Sequence, residues 1–108
     1  MKAGRLRERI GIVRRTTVTE QEFGSEKTVE TTILTARAEI RHDRGTRLEE
    51  NGEVVHTYDL TFITWLHVLD HVRETDEVAW RNRRYRIVSL EPVRDSMILY
   101  IKASLINE

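Results

Sequence analysis

The sequence predicts an all-β domain: a small antiparallel barrel or sandwich of about six strands, with a long irregular middle loop and at most one short helix. Three observations lead there. From Asp76 to Ile101 the chain alternates apolar and polar side chains through three runs separated by polar turns, as half-buried strands in a meander do. From Thr28 to Ile40, threonines at 28, 31, 32 and 35 precede an alternation of Leu34, Ala36, Ala38 and Ile40 with Thr35, Arg37 and Glu39. β-Branched residues are stiff at χ1 and sit better on a pleated surface than in a helix. Helical spacing competes only at Phe62, Trp65, Leu66, Leu69 and Val72.

Taken in order, residues 1–6 form a loose basic arm, and Arg7 to Arg15 alternates as a first strand. Thr16 to Lys27, rich in Thr, Glu and Gln with Gly24-Ser25 as a turn, reads as a hairpin loop. The second strand covers Thr28 to Ile40. Residues 41–55 lose all periodicity and carry many charges. Loops of that length in small domains are functional or disordered, so order against a partner is expected for this one. His56 to Thr64 alternates again; a strand ending near Trp65 and then a short helical turn through Leu69 fit best. Val78 to Trp80, a turn at Arg81 to Arg84, Tyr85 to Leu90, a turn at Pro92 to Asp95, and Met97 to Leu105 complete the meander.

The 108 residues suit one domain, 1–108, with no linker or internal repeat. Hydrophobic residues at 39% and charged residues at 33% describe a globular chain with a highly charged surface. Lys plus Arg and Asp plus Glu number 18 each, and this neutrality speaks against a dedicated DNA-binding domain while leaving local patches open. The absence of cysteine rules out disulfides and thiolate metal sites. Met1 to Ile10 lacks the apolar core of a signal peptide, and no run approaches the ~20 apolar residues of a membrane span. A soluble, non-exported protein without membrane contact is the expectation.

Catalytic signatures are weak. His67 and His71, with Asp70 between, have the i, i+4 spacing that two zinc-binding imidazoles use on a helix, but no third ligand or adjacent glutamate accompanies them. Glu49-Glu50 and Asp76-Glu77 are adjacent carboxylates, which point to opposite faces of a strand and read as solvated. The serines stand outside any nucleophile elbow, and the glycines make no phosphate loop. No enzyme and no cofactor are expected. The cluster Arg81, Arg83, Arg84 and Arg86 around Trp80 and Tyr85 offers cations for phosphates and rings for stacking, the pattern of a small nucleic-acid-binding barrel. The same rings at a hairpin also explain themselves as cross-strand packing.

The whole pattern resembles the head–tail joining (head-closure, connector) proteins of tailed bacteriophages. Four stretches carry the resemblance: Leu6-Arg7-Glu8-Arg9-Ile10 entering the first strand, Glu22-Phe23-Gly24 at the hairpin turn, Thr35 to Ile40 in the second strand, and Asp76 to Ile87 in the closing hairpin. Arg37 stands where the family commonly has tryptophan, and Asn82 where it often has glycine. The resemblance implies a structural subunit of a homo-oligomeric ring, a dodecamer among its forms, at the head–tail interface of the virion. Its partners would be portal or adaptor and tail proteins, with contact to packaged DNA. By the same resemblance, Lys2, Arg5, Arg7 and Arg9 of the arm and Arg81, Arg83, Arg84 and Arg86 of the hairpin become docking surfaces. The middle loop, with Arg44, Arg47, Leu48, Glu49 and Glu50, would reach the channel or a neighbouring subunit.

Overall fold

The computed structural model describes residues 3–19, 24–43, 45–48 and 54–106. Eight strands are present among them: β1 (Glu8–Thr19), β2 (Glu26–Arg41), β3 (Gly45–Leu48), β4 (Val54–Tyr58), β5 (Leu60–Trp65), β6 (Glu77–Trp80), β7 (Arg83–Val93) and β8 (Ile98–Leu105). Six of them close into an antiparallel barrel in the order β1-β2-β5-β8-β7-β6, while β3 and β4 pair only with each other. Closure leaves the barrel strands without an open sheet edge at their paired positions. Short 3₁₀ turns cover Ala3–Arg5 and Leu66–Asp70.

The barrel is filled by the inward residues of every strand. Ile10 and Ile12, Ala38, Leu60 and Phe62, Val78 and Trp80, Tyr85 and Ile87, and Leu99, Ile101 and Ala103 form one buried cluster. Phe62 is fully buried and makes T-shaped contacts with two other rings, with centroids 6.0 Å away at Trp80 and 5.4 Å at Tyr85. Such T-shaped contacts match the positive edge of one ring to the negative face of another. Val68 and Val72, from the 3₁₀ turn and the segment after it, belong to the same cluster.

β5 is buried along almost its whole length, on both faces. That explains why its sequence shows apolar and threonine residues with little charge. Thr61 and Thr64 satisfy their hydroxyls there by donating to Asp43 Oδ1 at 2.8 Å and to the Arg37 carbonyl at 2.7 Å.

The structure moves several expected boundaries. Within Thr16 to Lys27, read as a hairpin loop, Thr16–Thr19 and Glu26–Lys27 are strand: the ladder continues to Thr19 opposite Glu26, so β1 and β2 form a long hairpin arm. Residues 15–19 and 26–32 are exposed on both faces, which removes the alternation that marks a strand in sequence. Gly45–Leu48 pairs antiparallel with Val54–Tyr58, so part of the 41–55 segment read as irregular is a small second sheet, and the single strand read over His56 to Thr64 is split at Asp59 between β4 and β5. Pro92 lies inside β7 opposite Leu99, not in a turn. The chain reverses instead over residues 94–97, where Met97 takes a left-handed φ of 56° and is exposed rather than opening the last strand. The helical turn after Trp65 is found as expected.

The tip of β6–β7 is tighter than the polar turn read from sequence. Trp80 pairs with Arg83, leaving a two-residue loop with φ of 50° at Arg81 and 63° at Asn82. Positive φ at both central residues defines a type I′ turn, and asparagine tolerates that region better than most side chains.

Because Phe62 joins the other two rings at the centre of the barrel, Phe62→Ala is expected to cost about 4 kcal/mol of stability. Urea unfolding followed by tryptophan fluorescence measures it; a loss below about 1 kcal/mol would show that the three-ring cluster is not the centre of the core.

Candidate interaction surfaces

β1 and β2 run the length of the barrel and reach both of its ends. At one end lie the start of β1, the end of β2, the β6–β7 tip and the end of β8. An open cleft of about 980 Å³ there is lined by His42, Asp59, Leu60, Trp80, Arg81, Arg83, Tyr85 and Leu105. Arg81 lies over the Trp80 ring, 4.9 Å from its centroid, and pairs with Glu8, whose second oxygen accepts from the Trp80 indole N–H at 3.3 Å. Glu8 thus ties β1 to the β6–β7 tip.

At the other end of the same strand pair, Arg14 donates from Nε to Asp76 Oδ1 and from Nη2 to Asp76 Oδ2, both at 2.9 Å. The Arg73 N–H adds a third bond to that carboxylate at 2.8 Å, and the Arg14 fork also reaches the His71 carbonyl. Asp76, read from sequence as solvated, is 2% exposed. Burial alone would push its carboxyl up, but the Arg14 guanidinium and the Arg73 N–H outweigh burial and hold it below the ordinary range.

The predicted arginine cluster is divided by the pleat. Tyr85 points inward with Arg83 on its side at the barrel mouth, whereas Arg84 and Arg86 lie on the outer face. Arg84 is half-buried in a closed circuit of alternating charge: Arg84–Glu30 at 3.1 Å, Glu30–Arg15 at 3.2 Å, Arg15–Glu77 at 3.3 Å and Glu77–Arg84 at 3.8 Å. A bulge interrupts the β1–β2 register between Ile12 and Val13, and beyond it Glu30 on β2 reaches Arg84 on β7. Trp80 and Tyr85, at 8% and 3% exposure, present little ring face for stacking bases.

Of the arm expected over 1–6, residues 3–6 are among the described residues. Leu6 is buried and anchors it, and Arg5, Arg7 and Arg9 are exposed. Sequence reasoning missed Arg37. It stands directly opposite Arg9 in the β1–β2 register, and its guanidinium donates to the Arg7 carbonyl. Lys2, Arg44, Glu49 and Glu50 lie outside the described residues, as do the side chains of Arg47 and Leu48, whose backbone belongs to β3. The β3–β4 hairpin is fastened by Lys102, which sits 4.6 Å from the Tyr58 ring centroid, bonds its hydroxyl and pairs with Glu91 at 3.5 Å. Burial pushes the Lys102 amine down, yet the Tyr58 hydroxyl and the Glu91 carboxylate raise it above its usual value overall.

His67 and His71 do not form a metal pair. The turn between them is 3₁₀, so residues four apart diverge by about 120° around the axis. Among the described residues no group of three or more His, Asp or Glu side chains is placed to hold a metal. No helix among them is long and apolar enough to cross a membrane.

Asp76 fixes a pH dependence. Its folded pKa is lowered, so the stability it contributes is fully present above the unfolded value near 3.8 and is lost as pH falls through the folded one. Asp76→Asn is expected to cost about 2 kcal/mol at neutral pH. The gap from the unsubstituted protein should stay constant down to about pH 5 and narrow below about pH 4. Urea midpoints across that range test it; a gap that widens on acidification would contradict the assignment.

Comparison with known proteins supplies a family. A family model described as phage head completion protein matches residues 1–106. No curated protein matches this chain. The chain belongs to the phage head completion family, a family of structural proteins of the virion.

Proposed function

We propose that this chain is a subunit of a homo-oligomeric ring that joins the portal or adaptor at the head to the tail and helps to close the DNA exit channel. Family membership supports the structural role, and an exposed basic row near the start of β1 offers a surface for docking. Exposed arginines gather on the outer face near the start of β1, whereas the hairpin that projects the other way exposes both signs of charge, Arg15 and Lys27 beside Glu26 and Glu30. Membership of the phage head completion family is the observation that carries the proposal, and the exposed basic row on a chain of zero formal net charge is consistent with docking to a charged neighbour. Unlike surfaces at opposite places on one subunit favour head-to-tail contacts, and these close into rings when the rotation allows.

Within this proposal Arg5, Arg7, Arg9, Arg81, Arg83 and Arg86 serve docking to neighbours or to the portal. Arg84 serves first to hold the arm to the barrel through Glu30. The β3–β4 hairpin, joined to the barrel by Tyr58 and Lys102, is the element that reaches the channel or the next subunit. No catalytic step is assigned.

Light scattering on a sizing column, with and without the cognate portal complex, tests the proposal. The expected result is either a ring or a monomer that joins the portal complex stoichiometrically. A monomer that ignores the portal complex but shifts on adding DNA would contradict it. Assembly is also expected to weaken as salt rises, since exposed charges more than roughly 10 Å apart are screened at about 0.1 M salt; salt-independent assembly would instead indicate apolar contacts.

A further inference from the structure

Beyond the bulge at Ile12/Val13, β1 and β2 continue as a two-stranded ribbon with both edges open. β1 pairs with β6 only over residues 11–13, and β2 pairs with β5 only over residues 39–41. Among the described residues, 14–19 and 26–32 therefore have no strand on their outer sides, and 15–19 and 26–32 are exposed on both faces. A pair of strands alone is marginal in water, and an unpaired edge is a template for a further strand. Proteins blunt such edges with proline, lysine or a bulge. Here the bulge lies at the base of the ribbon, residues 14–32 contain no proline, and their one lysine is Lys27. The composition is that of a strand inside a sheet. Thr16, Thr17, Val18, Thr19, Thr28, Val29, Thr31 and Thr32 are all β-branched, the class that fits a pleated, half-buried surface. At the base, Arg15–Glu77 and Arg84–Glu30 hold the ribbon to β6 and β7, so its edges are presented in a fixed direction.

The two edges match one another. Arg15, Thr17 and Thr19 share one face with Glu30, Thr28 and Glu26, while Thr16 and Val18 share the other with Val29 and Lys27. On the first face β1 brings a cation and β2 brings anions, of which Glu26 has no cationic partner among the described residues. On the second, Val18 and Val29 are 48% and 39% exposed. A β1 edge laid beside the β2 edge of another copy repeats the matches found within one arm, Arg with Glu and Thr with Thr, and keeps the valines on one face. A β2 edge laid on a second β2 edge about Thr28 would set Glu26 opposite Glu30, and like charges directly opposite repel. Strand direction selects the same arrangement. Ring neighbours point their arms the same way, and β1 and β2 are antiparallel, so β2 of one arm runs antiparallel to β1 of the next. Each copy has one edge of each kind, and a closed ring leaves neither open.

We propose that the β1–β2 arms of neighbouring copies of this chain pair edge to edge, β1 of one beside β2 of the next, as a continuous antiparallel sheet. This rests on the ring proposed above and names its interface. Main-chain hydrogen bonds supply the affinity, and the alternating side chains set the register. The threonines and valines exposed on a lone arm become interior strand positions on assembly.

The chain contains no cysteine, so single variants carry a single thiol. Thr17 and Thr28 face each other within one arm, so Thr17→Cys and Thr28→Cys are made in separate chains, mixed and added to purified heads lacking this chain. The head-bound protein is mildly oxidised and run without reductant. Thr17→Cys mixed with Glu26→Cys, on the same face, covers a shift of register. A dimer that forms in at least one mixture, and with none of the variants alone, is expected, and reductant collapses it. Adding Val18→Lys and Val29→Lys to both chains is expected to lower its yield about tenfold; circular dichroism confirms that each variant is folded. An unchanged yield would overturn the edge contact. A dimer from one variant alone would show two-fold pairing and overturn the head-to-tail arrangement. Head binding with no dimer in either mixture would overturn the arm interface and leave the connector role standing. Failure of the unsubstituted chain to bind heads at all would instead remove the connector role, and the interface with it.

Discussion

Closure of the barrel depends on a short seam. β1 meets β6 through only three register pairs, Gly11 with Ala79, Ile12 with Val78 and Val13 with Glu77. Backbone pairing of that length is weak by itself, since an isolated pair of strands is marginal in water. Side chains reinforce it at both ends. The Arg14–Asp76 fork holds one end, with Asp76 buried and fully engaged, and Glu8 holds the other through the Trp80 indole and Arg81. Ile12 and Val78, fully buried, pack beneath the seam. Without it the sheet would open between its first and sixth strands in the ring order, and the inward faces of Trp80, Tyr85 and Phe62 would meet solvent.

The seam also positions the surfaces on which function is proposed. By fixing β1 beside β6, it sets the basic row next to the β6–β7 tip and leaves the far half of β1 free to project with β2. Beyond the bulge at Ile12/Val13, Glu30 and Glu77 alternate with Arg15 and Arg84 in a circuit that ties the hairpin to β6 and β7. Two atoms of this circuit, Glu77 Oε1 and Arg84 Nη1, are buried without a hydrogen bond and face each other at 3.8 Å. Their remaining attraction is a Coulombic one across partly buried surface, which is less screened than an exposed pair.

Much of the fold was legible because its strands alternate. Val78 and Trp80, Tyr85 and Ile87, and Leu99, Ile101 and Ala103 all occupy the inward positions that period two assigns them. The change of phase after Ile87 comes from a bulge that leaves Val88 unpaired, and it accounts for the apolar character of both faces further along β7. What stayed hidden was structure without an inside. Thr16–Thr19 and Glu26–Thr32 are strand by backbone pairing but bury neither face, so nothing in their pattern separates them from a loop. The 41–55 segment hid β3 and the start of β4 because its many charges leave no alternation in the sequence. Among the site residues, the exposed basic side chains were evident from composition, but Arg37 gained its meaning only from the register that sets it opposite Arg9. Asp76 appeared as one of two adjacent carboxylates because its partner, Arg14, is remote in sequence, and no local signal marks such a pair.

The most direct test of this account is the structure of the head–tail junction in intact particles by electron cryomicroscopy. The account predicts a closed ring of this chain between portal and tail, its barrels arranged head to tail. A junction without such a ring, or this chain located elsewhere in the particle, would contradict it.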